Sequence, residues 1–230
     1  YMRLHNEALT TRNVLGGRIY SLEKILISQD PNRNLMAYPT VNWFDELLED
    51  YTMNSRFNFN LSGGGKVARY YLASTINTDN GNLKIDPRNN FNNNIKFNRI
   101  SLRSNINVNL TKTTQVALKF NGNFDDYTGP LDGGELVYQK AMKANPVLYP
   151  KEYEPDIKFI NTTHPLYGNY GQFGDYLNPY ADLMRGYKDE SYNNFLATVE
   201  IKQNLDFITG GLNLRFLGNT SRYSFYNLER

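Results

Sequence analysis

The sequence predicts an all-β fold: part of a large antiparallel transmembrane barrel, with about six strands in three hairpins and short helices in long extracellular loops. Three observations predict it. First, Phe97 to Phe124 alternates almost without error. Ile100, Leu102, Ile106, Val108 and Leu110 stand at even positions, and Arg99, Ser101, Arg103, Asn105, Asn107 and Asn109 at odd ones. After Thr111-Lys112-Thr113 the even positions are again apolar (Val116, Leu118, Phe120, Phe124), with Gln115, Lys119, Asn121 and Asn123 between. Strand side chains point to opposite faces with period two, so one face meets an apolar medium and the other meets water. Second, strands of about ten residues with Arg and Asn along one face suit a barrel wall around a wet lumen. Third, the connections alternate in length: short at Gly63, long at Thr78, short at Thr111, very long at Asp125, short at Asp206. Outer-membrane barrels have short periplasmic turns and long extracellular loops in that order.

Composition is consistent with this reading. The 230 residues are 40% hydrophobic, and mean hydropathy is low. No run of about 18 apolar residues occurs, which excludes a transmembrane helix but not half-polar barrel strands. A formal charge of +2, with Lys and Arg dispersed, gives no nucleic-acid surface. There is no Cys, hence no disulfide framework and no thiol chemistry.

The chain divides into four regions. Residues 1–55 read as an extracellular segment of short helices. Asn42 caps a helix starting at Trp43, with Asp45 in its first turn, and Ser21 to Leu26 forms another short helix before Asp30-Pro31. Residues 56–124 hold two hairpins. The first pairs Phe57, Phe59 and Leu61 with a return strand from Val67 to Asn77 through Gly63-Gly64-Gly65-Lys66. Tyr70-Tyr71 leaves the facing of that return strand open, and a polar loop runs from Thr78 to about Lys96. Residues 125–191 lack alternation and read as a long extracellular loop. Asp132-Gly133-Gly134-Glu135 resembles a capping box, opening a helix over Glu135–Ala144 that Asn145-Pro146 stops. Residues 192–230 return to the wall. Phe195, Ala197, Val199 and Ile201 alternate with Asn194, Thr198, Glu200 and Lys202, then Gly210-Gly211 turns into Leu212, Leu214 and Phe216. Six strands cannot close a barrel, which needs about eight, so the chain is expected to be a piece of a longer wall.

The residues also resemble a known family. Leu4-His5-Asn6-Glu7-Ala8-Leu9, Tyr38-Pro39, Asn42-Trp43-Phe44-Asp45-Glu46-Leu47 and Asn60-Leu61-Ser62-Gly63-Gly64 look like the SusC/RagA-type TonB-dependent outer-membrane transporters of Bacteroidetes. Arg103-Ser104-Asn105-Ile106, Asn178-Pro179-Tyr180-Ala181 with Gly186-Tyr187, and Asn204 to Leu212 continue the likeness in order. Gly210 departs from it, standing where the pattern leads to Lys. The resemblance implies a barrel of about 22 strands with a plugged lumen. It also implies a SusD-like surface lipoprotein over the barrel, TonB acting through a plug that lies outside this chain, and cargo of oligosaccharide or peptide.

Catalysis is not expected. His5 and His164 lack local partners and read as structural, and neither a nucleophile elbow nor a phosphate loop occurs. No cofactor and no metal are expected. Asp30, Asn32 and Asn34 have calcium-loop spacing, but Leu35 and Val41 stand where Gly and a bidentate Glu belong. Asp125, Asp126 and Asp132 read as solvated loop and helix cap. Substrate contact falls to the long loop, where Tyr153, Tyr167, Tyr170, Phe173, Tyr176 and Tyr180 are interleaved with Asn169 and Asp175. Flat rings stack on sugars, and carboxamides or carboxylates bond hydroxyls. Arg99, Arg103, Asn105, Lys119, Lys202 and Arg215 are expected to face the lumen. The rival readings are a soluble β-sandwich that binds carbohydrate through loop tyrosines, and a passive porin.

Overall fold

The computed structural model describes residues 1–171 and 178–230. Along the chain lie α1 (Met2–Arg12), α2 (Leu22–Ile27), α3 (Trp43–Leu47), β1 (Ser55–Gly64), β2 (Ala68–Asn80), β3 (Lys96–Asn109), β4 (Thr114–Pro130), α4 (Gly133–Lys143), β5 (Glu152–Tyr153), β6 (Leu166–Tyr167), α5 (Pro179–Leu183), β7 (Tyr187–Asn204) and β8 (Asn213–Glu229). They form two compact units, one of sheet (residues 50–85, 90–131 and 186–230) and one of connections (1–49, 86–89 and 132–185).

The sheet unit is a six-stranded antiparallel sheet in the order β1-β2-β3-β4-β7-β8. Residues paired across an antiparallel ladder share a face, so the register tests the expected division directly. Ile76, Ile100 and Phe124 lie opposite one another, as do Tyr70, Ile106, Leu118 and Val199, and so do Val108, Val116, Ile201 and Phe216. The ambiguity at Tyr70-Tyr71 is thereby settled: Tyr70 joins the apolar face, and Tyr71, opposite Asn105, joins the polar one. Among the described residues of this unit, no layer closes over the apolar face. Ile100, Leu118 and Val199 keep 37%, 43% and 39% of their surface exposed, and Phe57, Phe216 and Leu214 more than half.

The strands are longer than the alternation indicated. β4 continues to Pro130 and β7 begins at Tyr187, so the stretch 125–191, read as loop throughout, starts and ends as strand. The physical reason lies in the facing. Beyond Ile100 and Phe124 the formerly apolar face carries Asn98, Asp126, Thr128 and Ser191 while Phe97 and Tyr127 stand on the other, so the contrast between the faces is lost there. The backbone ladder persists while the sequence signal for it disappears. The apolar band therefore spans Val108 to Ile100, about 27 Å of strand.

The connection unit has its own core. Tyr20, Ile25 and Val147 cluster with Met2, while Trp43, Leu47, Val137, Ala141, Tyr149 and Leu183 are buried around α3, α4 and α5, which pack together. Asn42 caps α3 as expected, accepting from the Phe44 amide, and Ser21, read as the first residue of its helix, instead caps α2 by accepting from the Lys24 amide. The expected capping box at Asp132 does not form. Its carboxylate is engaged by Lys140 at 2.5 Å and Arg185 at 2.8 Å instead, and a charged hydrogen bond outcompetes a neutral amide. The short pair β5–β6 was not anticipated; two residues per strand are too few to show a period.

Candidate functional site

The polar face of the sheet brings together residues from all six strands. Arg99, Arg103, Asn105, Lys119, Lys202 and Arg215 share it, because each is linked by register to the odd positions of β3 and β4. One cross-strand row runs Arg56, Asn77, Arg99, Asp125, Tyr192, Phe225. The next runs Asn58, Thr75, Ser101, Asn123, Asn194, Tyr223. Neighbours within a row hydrogen-bond. Arg56 Nε donates to Asn77 at 3.0 Å, Thr75 Oγ1 to Asn58 at 2.9 Å, and Ser101 Oγ to Asn123 at 2.8 Å. Arg99 grips Asp125 with Nε and Nη2, both at 2.9 Å, in the bidentate geometry a guanidinium favours.

Nearer the short turns, Glu200 is a charge hub. Its carboxylate, nearly buried, meets Arg215 at 2.7 Å, Lys202 at 3.3 Å and Lys119 at 3.6 Å. One carboxylate among three cations leaves local positive charge, and among the described residues Arg103 has no ion-pair partner to offset it. The alternation identified Glu200 only as a residue of the polar face; which cations surround it depends on the pairing of β7 with β4 and β8.

Several rings interrupt this polar face, and three of them meet at one corner. Tyr192 lies 4.9 Å from Tyr223 and 5.4 Å from Phe225, with ring planes at 82° and 68°. Sequence reasoning missed this corner. The available signal was Tyr223 and Phe225 at odd positions, in phase with Asn213 and Arg215, but it requires β8 to continue beyond Phe216.

The aromatics expected to contact substrate are divided by the connection unit. Tyr180 is a correction. It is buried, its hydroxyl donates to Asp86 at 2.7 Å, and it therefore offers no free face to a ligand. A Tyr that follows an N-cap and Pro in a short helix points inward here because Asn178 folds α5 back. Asn178 Oδ1 accepts from the Tyr180 amide, while its Nδ2 donates to the carbonyls of Lys151 and Gly168. Tyr167 is half-buried against Tyr180, with centroids 6.2 Å apart. Tyr153, Asn169 and Tyr170 are exposed. Phe173, Asp175 and Tyr176 lie outside the described residues.

Around Tyr180 the connections are locked by charge. Arg88 holds Asp86 through Nε at 2.9 Å and reaches Glu152 through Nη1 at 3.0 Å. The Arg88 hydrogen bonds hold the Asp86 carboxyl well below the usual carboxylate range, although burial opposes them. Burial, and then the bond to Asp86, push the Tyr180 phenol up; burial alone pushes Tyr149 up to about 12. A second lock joins Lys140 to Asp132 and Asp182, with Arg185 on both carboxylates.

The candidate ion ligands are otherwise engaged. Asp30 and Asn34 close turns onto the Asn32 and Met36 amides, Asp125 pairs with Arg99, and Asp126 accepts from Ser191. His164 is exposed, and His5 packs edge-on to Tyr1 and Tyr20. The arrangement as a whole offers a broad hydrogen-bonding surface with a basic patch and an aromatic corner, suited to binding a hydroxyl-rich solute. In comparisons with known proteins, no family model and no curated protein matches the chain.

Proposed function

We propose that this chain is part of the wall and outer loops of a TonB-dependent outer-membrane transporter of the SusC/RagA type. It imports oligosaccharides, or peptides, together with a SusD-like surface lipoprotein, and is energised by TonB through a plug outside this chain. One observation carries the reading: a single sheet whose two faces are both uncovered, one aliphatic and aromatic, the other Asn, Arg, Lys and Glu. The apolar face measures on the order of 700 Å² from strand spacing and rise. Soluble monomers rarely bare more than a few hundred. A β-sandwich would bury that face, whereas lipid leaves it free of protein contacts. The family resemblance adds the energised mechanism, which separates this reading from a passive porin.

The wall reading is tested by spin labels placed one at a time at residues 100–109 and 116–124 of the full-length protein in membranes. Even positions should show high collision rates with oxygen and odd positions with a water-soluble nickel chelate, with period two. Uniform accessibility would overturn it. Growth of a deletion strain on glycans and peptides tests import itself: undiminished growth on every member of the panel would remove the transport assignment.

A further inference from the structure

From the aromatic corner and the polar row beside it, we infer a binding subsite for neutral saccharide on the polar face of β3, β4, β7 and β8. The inference rests on the wall reading above and narrows its cargo to uncharged sugar. Tyr192, Tyr223 and Phe225 are half-exposed and meet one another on the polar face, beside Arg99, Asp125, Asn123 and Asn194. Interfacial aromatic girdles of barrels point outward to lipid, so a girdle does not account for rings on the opposite face. Large rings left in water gain by covering one another only in part. Here, planes at 82° and 68° keep flat ring surface open.

The polar neighbours decide the ligand class. Arg99 and Asp125 neutralise each other, so their corner has no net charge with which to attract a phosphate or carboxylate. Both still have bonding capacity. A guanidinium has five N–H donors, of which the pair with Asp125 uses two, and each carboxylate oxygen accepts more than one bond. Arg99 also lies 5.0 Å over the Phe97 ring, which steadies its plane. Asn123, in the next row, adds a carboxamide. Adjacent donors and acceptors beside flat apolar rings match the vicinal hydroxyls and C–H faces of a pyranose. The concavity they line holds about 380 Å³, within the range of small-ligand sites. Strands about 4.8 Å apart repeat these groups at a spacing close to the length of one sugar residue.

The test uses full-length protein purified in detergent, with calorimetric titration of neutral α-glucan, β-glucan, fructan and mannan hexamers and of neutral and acidic hexapeptides. At least one neutral hexasaccharide should bind. Tyr223→Ala and Tyr192→Ala should each weaken it about tenfold and Tyr223→Phe less than about threefold, since stacking survives loss of the hydroxyl. Asp125→Asn should weaken it by a similar factor to the alanine variants. Heat-modifiable gel mobility selects assembled protein, and Phe225→Leu carries the test if Tyr223→Ala does not assemble. Failure of every saccharide to bind, unchanged affinity in the ring variants, or peptide binding lost in those variants would each overturn the subsite. If any of these occurs with the period-two labelling intact, only the subsite is lost. Loss of the alternation removes the wall reading as well.

Discussion

The sheet unit and the connection unit solve the same folding problem in opposite ways. In the connections, Leu47, Tyr149 and Leu183 are almost completely enclosed, and charged groups such as Asp86 are held in place by named partners. In the sheet, Ile100, Leu118 and Phe216 are uncovered and the ladder of backbone bonds does the organising. On the wall reading proposed above, the difference teaches that the two units are built for different surroundings. The connections carry their own apolar core. The sheet leaves its apolar side chains exposed, and on that proposed reading lipid covers them.

The largest expected effects separate the two units by readout. Leu47→Ala removes a fully enclosed side chain at the junction of α3 with α4 and α5, and should cost about 2–5 kcal/mol. The loss should be local: connections of the full-length protein in cells become sensitive to added protease, while heat-modifiable mobility of the barrel is unchanged. If protease resistance survives, the connection unit does not depend on that core. Leu102→Arg, on the apolar face opposite Ser74 and Gly122, should cost roughly 2–4 kcal/mol near mid-depth and reduce assembly of the wall. Asn105→Arg, three residues on and opposite Lys119 on the other face, should assemble normally. Equal effects at the two positions would mean that both faces meet the same medium.

Arg88→Ala tests the lock of the connections. Asp86 would keep only its bonds from Tyr180 and the residue-88 amide, and an exposed region of the connections should open at a cost of about 2–3 kcal/mol. The pH dependence has a definite sign. With its pKa lowered in the fold, Asp86 contributes stability in full above the ordinary carboxylate range. That contribution is lost only as pH falls through the depressed value. In Arg88→Ala the loss should set in at higher pH. Amide exchange of residues 86–89 against pH measures it, and coincident acid profiles for the two proteins would show that Arg88 is not the cause.

Legibility in the sequence follows the same division. Phe97 to Phe124 is readable because apolar and polar residue types alternate there, one type to each face. Asp125–Pro130 and Tyr187–Asn193 are not, because polar residues and rings mix there without dividing by face, and the strand signal depends on contrast. Ser21 and Asn42 announce their helices locally, whereas Asp132 fails as a cap because Lys140, two turns along the helix, and Arg185, 53 residues on, claim it. Tyr180 illustrates the limit for the site. Composition marks it as an aromatic in a loop of Gly, Asn and Tyr, but only the partnership with Asp86, 94 residues earlier, shows that it faces inward. Glu200 and the corner at Tyr192 depend in the same way on which strands become neighbours.

The smallest expected effect sharpens the comparison most. Arg99→Ala removes a bidentate partner from Asp125, yet the guanidinium side chain is 47% exposed and the carboxylate 21% exposed. If the polar face is open to water, the pair is screened and its loss should cost no more than about 1 kcal/mol, less as salt rises. If that face were instead a dry interior, Asp125 would be left as an uncompensated charge, and the cost would rise to about 3–5 kcal/mol with little dependence on salt. Urea unfolding of the lipid-inserted protein at low and high salt therefore distinguishes a wet lumen from a packed core at a single residue. A small, salt-sensitive change, beside a large one at Leu102 only three positions away, is the pattern that a wall between lipid and water requires.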